Sequence, residues 1–282
     1  MARGFTDCHC HLPANEFTQV SYVKKTQSTK HNGVIFMVFP RTYMIYPGFV
    51  FSCFGIHPLQ GSGQDLHSVK IHELEPFLPL FPKYTDDIVA VGEIGLDFTP
   101  WFANTTQERD EQIKVFTKQL EISKELNLPV NVHSQSAAKV TIATMKELGI
   151  RQVLLQNFAG KPSVAMEEVQ ARFYFSFSPA VSKNEQRAKL IRQIPLEHIC
   201  LETDSPALGT DKRVRNELGN IMICCEHTEK VKGISPDIVM DVTTQNMPLP
   251  YLKYIFYSMH YTQFQLVVVI NRSSKAAPSQ MS

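Results

Sequence analysis

An α/β chain closed into a single (β/α)8 TIM barrel is the fold class this sequence predicts, on three observations. Eight short apolar runs recur along 282 residues. Most are rich in Val, Ile, Leu and Phe with little polar alternation, as strands buried on both faces of a parallel sheet read. Segments of helical periodicity fill most of the gaps, which implies βαβ units with right-handed crossovers. Eight such units fit this length. A doubly wound open sheet is the alternative, but no G-x-G-x-x-G follows the first run to support a dinucleotide site.

The runs come in order. GFTDCHCH (4–11), GVIFMVF (33–39), GFVFSCFGIHP (48–58) and DIVAVGEIGLD (87–97) are the first four. A long helix is predicted over 108–126, with Ile113, Phe116 and Leu120 at helical spacing and charges between them. LPVNVHS (128–134), QVLLQNF (152–158), RFYFSFSP (172–179) and HICLETDSP (198–206) follow, with helices predicted over 139–148, 163–172 and 184–193. A last helical pattern covers 226–242 and restarts at Ser235-Pro236, an N-cap followed by proline at the first helical position. One gap breaks the rule. Between the second and third runs lies only PRTYMIYP, and a crossover needs about ten residues or more. The barrel is therefore expected to be irregular after its second strand. Residues 1–256 are read as one barrel domain, and 257–282 as a divergent, mobile polar tail.

Composition narrows the function. The 28 basic and 27 acidic residues nearly cancel, so nothing points to a membrane surface or a coat on duplex nucleic acid. The six cysteines include no CxxC pair and sit in apolar surroundings, which excludes a zinc ribbon and suits reduced thiols in the cytoplasm or nucleus. The longest late apolar stretch, LVVVI, is too short for a bilayer, and the N-terminus lacks the apolar run of a signal peptide. No stable protein partner is expected.

Parallel barrels carry their chemistry at the C-terminal strand ends. Six of the eight runs deliver potential ligands there: His9 and His11, His57, Glu93 and Asp97, His133, Gln156 and Asn157, Glu202 and Asp204. Side chains alternate along a strand, so His9 and His11 share one face and Cys8 and Cys10 the other. The four cannot bind one ion; the cysteines read as small apolar fillers. Each residue alone has a plainer role. Glu93, inside an apolar stretch, must be paired, hydrogen-bonded or metal-bound, because its desolvation alone is expensive. His133 could be a satisfied core histidine, Asp204 a helix cap before Ser205-Pro206, and His57, before Pro58, the organiser of a loop.

DCHCHL, FGIHPLQ, VGEIGLDF, LPVNVHS and LETDSP, in this order, resemble the TatD family of metal-dependent deoxyribonucleases. The resemblance runs from about residue 5 to 246 and is weak over 17–46 and beyond 246. It implies an amidohydrolase-like barrel with two divalent cations (Mg, Zn or Mn). His9, His11 and Asp204 would hold the first, Glu93 would bridge, and His133 would bind the second. The family's further histidine, in H-x-F-x-G, is replaced by Gln156 in QNFAG, a neutral amide and a weaker ligand for zinc-like ions. Gln135 stands where relatives often carry a basic residue, and MPLPYLKYIF replaces a final apolar helix.

The resemblance implies hydrolysis of DNA phosphodiester bonds from a 3′ end. Two cations about 3.5–4 Å apart can stabilise both attacking and leaving oxygens. Asp204 is expected to act as general base, with Glu93 fixing the ion spacing. His57, Arg213 and Arg215 are the candidate substrate contacts, although surface arginine is the plainer reading of the last two. A barrel mouth without basic excess suits strand ends or short single strands of DNA. Two alternatives remain: a hydrolase of small phosphoesters or amides, and a barrel that only binds, with Gln156 marking a lost ligand.

Overall fold

The computed structural model describes residues 4–11, 31–37 and 50–246. All eight predicted strands are present: β1 (Phe5–Cys10), β2 (His31–Met37), β3 (Val50–Phe54), β4 (Ile88–Gly95), β5 (Val130–His133), β6 (Val153–Leu155), β7 (Tyr174–Phe177) and β8 (Ile199–Leu201). Each pairs in parallel with its neighbours in chain order, and β8 returns to β1, closing the barrel. The irregularity expected after the second strand is absent from the pairing itself. β2 and β3 run in unbroken register from Val34↔Val50 to Met37↔Cys53. The register shifts between β1 and β2 instead. The short connection (38–49) and the predicted tail (257–282) lie outside the described residues.

Five helical segments predicted from periodicity form close to their expected bounds. They are α1 (Thr106–Glu125), α2 (Ala138–Glu147), α3 (Pro162–Gln170), α4 (Glu185–Gln193) and the last pattern, which is two helices, α5 (Ile221–Lys232) and α6 (Pro236–Gln245). The restart at Ser235 has the foreseen cause: its hydroxyl accepts from Ile238 N, and Pro236 occupies the first turn. Gly233, at φ +68°, ends α5 in the left-handed region that glycine enters without penalty. The N-terminus of α1 is a capping box, Thr105 Oγ1 accepting from Glu108 N while the Glu108 carboxylate accepts from Thr105 N. Between β3 and β4 the chain makes a small hairpin, Leu59–Gln60 against His67–Ser68, and two short helical turns in place of a long helix. Among the described residues no helix is long and apolar enough to cross a membrane.

The core fills the barrel and the layer beneath the helices, with Phe116, Phe158, Phe173 and Phe175 at its centre. A smaller cluster, Phe5, Leu201, Ile221, Cys224, Cys225, Val239 and Met240, seats α5 and α6 against β1 and β8. All six cysteines are buried free thiols, the fillers their apolar settings suggested.

Two buried glutamines of α1, two helical turns apart, tie this core to the barrel mouth. Gln112 Oε1 accepts from Asp97 N at 2.8 Å and its Nε2 donates to Asp97 O at 3.0 Å. Gln119 Oε1 accepts from Ile56 N at 2.7 Å and its Nε2 donates to Ile56 O at 3.1 Å. One helix face thus fixes the backbone at the ends of both β3 and β4. Gln119→Leu keeps the volume and strands a buried N–H and a buried C=O. We expect it to destabilise the fold by about 2 kcal/mol or more, read as a lower urea midpoint at unchanged slope.

Candidate metal centre

The site begins where β1 meets the end of β8. Asp7 Oδ1 accepts from Thr203 N at 3.0 Å and from His9 N at 3.2 Å, and its Oδ2 accepts from Thr203 Oγ1 at 2.6 Å. Burial raises the Asp7 acid to about 7 in spite of these bonds. Beyond it, Asp204 N donates to His9 O at 2.8 Å and His11 N to Ser205 O at 2.6 Å. Asp204 has φ +52°, a left-handed conformation that aspartate tolerates better than most residues. The turn after it is held by Asn216, whose amide donates to Thr203 O at 2.7 Å and Ala207 O at 2.6 Å. These bonds bring a carboxylate from one end of the sequence to two histidines from the other.

His9 and His11 point to the same side, as strand parity requires. Their Nε2 atoms are 3.1 Å apart, and Asp204 Oδ1 lies 3.2 Å from His11 Nε2 and 3.7 Å from His9 Nε2. Glu93 Oε2 approaches the same nitrogens at 3.5 and 3.8 Å. His9 is fully buried, with Nδ1 3.0 Å from Asn131 Oδ1. Burial outweighs the attraction of Glu93 and Asp204 and lowers His9 to about 4.

The other oxygen of Glu93 faces a second group. Its Oε1 lies 3.1 Å from His133 Nδ1, 3.5 Å from His57 Nε2 and 2.8 Å from Gln156 Nε2. Burial alone would push the Glu93 carboxyl up, but His57, His9 and His133 hold it well below the usual range. His133 Nε2 lies 3.2 Å from Asp97 Oδ2, while Asp97 Oδ1 accepts from Thr99 N at 2.9 Å. Burial opposes protonation of His133, yet Asp97 and Glu93 together raise it to about 9.

Two groups of potential ligands result: His9, His11 and Asp204, and His57, Glu93 and His133. Within each, the candidate atoms lie within 4.8 Å of one another. The donor chemistry fits divalent cations: imidazoles and buried carboxylates converge.

The structure thus gathers His9, His11, His57, Glu93, His133, Gln156 and Asp204 at one rim. Both candidate arginines lie outside this group, exposed on the loop after β8. Arg213 is exposed, with its guanidinium paired to Asp211 at 3.1 Å on the loop after β8; Arg215 is exposed two residues further on. Glu202 lies deeper than the rim, accepting from Ser176 Oγ at 2.5 Å and Asn157 N at 3.0 Å. His57, read from sequence as a loop organiser or substrate contact, sits among the potential ligands, its ring 4.6 Å from that of His133. Asp97, expected as a potential ligand, stands behind His133 instead, and Asn131 behind His9 is a residue the sequence reading does not single out. Strand parity held a clue, since Asn131 is two residues before His133 and shares its face.

Known proteins agree with this architecture. The TatD related DNase family profile matches residues 6–251. The chain is 70% identical over 256 residues to tatdn3 of Danio rerio, covering 87% of this chain and 96% of that protein. It is 45% identical over 255 residues to Deoxyribonuclease TATDN3 of Homo sapiens, covering 86% and 93% respectively. Among solved structures, the TatD homologue YJJV of Escherichia coli superposes with a TM-score of 0.74 at 21% identity, over 87% of this chain and 97% of that one. Sequence, fold and the gathering of ligands at one rim agree: this chain belongs to the TatD family.

Proposed function

We propose that this barrel hydrolyses phosphodiester bonds of DNA, from strand ends or short single strands, with divalent cations held at the rim. The single supporting observation is the placement of Glu93, one oxygen toward His9 and His11 and the other toward His57 and His133. A carboxylate shared between two groups of ligands is what a two-cation centre for phosphoryl chemistry requires. His9, His11 and Asp204 hold the first cation, and Glu93 stands between the two positions. When bound, the cations supply Lewis acidity and neutralise charge developing on the phosphate.

The residues divide the remaining work. Asp204 takes the proton from the attacking water; its carboxylate is the nearest acid to both N-terminal histidines. Asn131 and Asp97 fix the rings of His9 and His133, so that the rim is assembled before substrate arrives. The adjoining cleft, lined by His133, Ser134, Gln135, Gln156, Asn157 and Ala159, is polar and opens beside the second group of potential ligands. The catalytic unit is one barrel over 1–256, and its reduced thiols suit the cytoplasm or nucleus.

End-labelled single- and double-stranded oligonucleotides, beside generic esters and amides, test this with Mg, Mn and Zn in turn. We expect cleavage of DNA from the 3′ end, lost in excess EDTA and recovered when cation is restored. Undiminished DNA cleavage in EDTA by a nuclease-free preparation contradicts the proposal, and cleavage confined to small esters or amides replaces its substrate.

A further inference from the structure

We infer that the second cation position of this chain is made by His57, Glu93 and His133, with His57 as the imidazole that the Gln156 position lacks. The inference rests on the reading of the rim as a cation centre and assigns its ligands.

Gln156 presents its nitrogen rather than its oxygen to the site. Nε2 lies 2.8 Å from Glu93 Oε1 and 2.9 Å from His133 Nδ1. An amide nitrogen is a donor without a lone pair to give, so in this placement Gln156 braces these two groups. Its oxygen is buried with no partner.

His57 has the attributes Gln156 lacks. Its ring is buried and meets the His133 ring edge-on, 4.6 Å between centroids. Its Nε2 faces Glu93 Oε1 at 3.5 Å. Its Nδ1 lies 3.1 Å from Leu59 O and 3.0 Å from Leu59 N, so Leu59 fixes the ring in either tautomer. In the tautomer that donates Nδ1–H to the Leu59 carbonyl, Nε2 carries the lone pair toward the site. That is the usual support of a ligating histidine: the far nitrogen bound to a carbonyl or carboxylate, the near one given to the ion. His9 on Asn131 and His133 on Asp97 follow the same plan. The chain positions His57 from both sides, since Gln119 clamps Ile56 and Gln60 Nε2 donates to His57 O at 2.8 Å.

Cobalt(II) titration of the metal-stripped protein, followed by calorimetry and by the visible absorption of the ion, tests this. We expect two cobalt ions per chain for the wild type, one for His57→Ala, and two for Gln156→Ala. One ion in the wild type, two in a folded His57→Ala, or one in a folded Gln156→Ala would overturn the assignment. Should His57→Ala fail to fold, cadmium-113 coupling to the nitrogen-15-labelled ring of His57 in the wild type decides instead: coupling at Nε2 supports it, and its absence with two cadmium ions bound refutes it. Two bound ions with His57 ligating but no DNA cleavage leave this inference standing and remove the proposed substrate. DNA cleavage with a single bound ion does the reverse.

Discussion

Asp204→Asn is expected to lower the DNA cleavage rate by about 10³-fold or more, near 4 kcal/mol of lost transition-state stabilisation, while the barrel stays folded. The substitution preserves shape. It removes the negative charge that faces His11 Nε2 at 3.2 Å and His9 Nε2 at 3.7 Å, and with it the carboxylate proposed to accept the proton from water. The bonds that hold the turn include Asp204 N to His9 O, Ala207 N to Asp204 O and the Asn216 amide to Thr203 O and Ala207 O, none of which uses the Asp204 carboxylate. Little change in melting temperature is therefore expected beside the loss of rate. Cleavage within tenfold of wild type at saturating cation, on the same labelled oligonucleotides, would remove Asp204 from the role of base.

The sequence reveals what lies along a strand better than what lies between strands. Eight apolar runs announce eight strands, and parity alone separates His9 and His11 from Cys8 and Cys10. Parity does not reveal which rows meet. The contact of Glu93 with both histidine groups depends on its position at the meeting of β1, β3 and β5, set by ladder register and barrel closure. His57 shows why: read locally, a histidine before a proline orders a loop, and its approach to Glu93 comes from a strand residue 36 positions further on. The arginines show the converse. Their place after the eighth strand invites a role in phosphate binding, yet Arg213 is already paired with Asp211 two residues away.

Gly95→Ala is expected to destabilise the barrel by at least about 3 kcal/mol, lowering the melting temperature by roughly 10 °C. Gly95 has φ +142°, and a Cβ there would stand 2.0 Å from His133 O and 2.8 Å from His133 C. Both are backbone atoms, and His133 O already accepts from Leu96 N at 3.1 Å. No rotamer change relieves the contact, so β4 and β5 must separate where Gly95 pairs with His133. Gly149→Ala is the control. It too has a positive φ, +69°, but nothing within 4 Å of the added carbon, so only the left-handed conformation is penalised, at about 1 kcal/mol. Equal losses in the two variants would mean that backbone conformation, not the close approach of the strands, explains the glycine. A larger loss at Gly95, with weakened cation binding in whatever protein still folds, ties the glycine to the site. Glu93 and Asp97 flank it two residues away on either side, and both reach His133, at 3.1 and 3.2 Å. Two carboxylates from one strand can grip one histidine of the next only if the backbones pass this close, and a side chain at position 95 would prevent it.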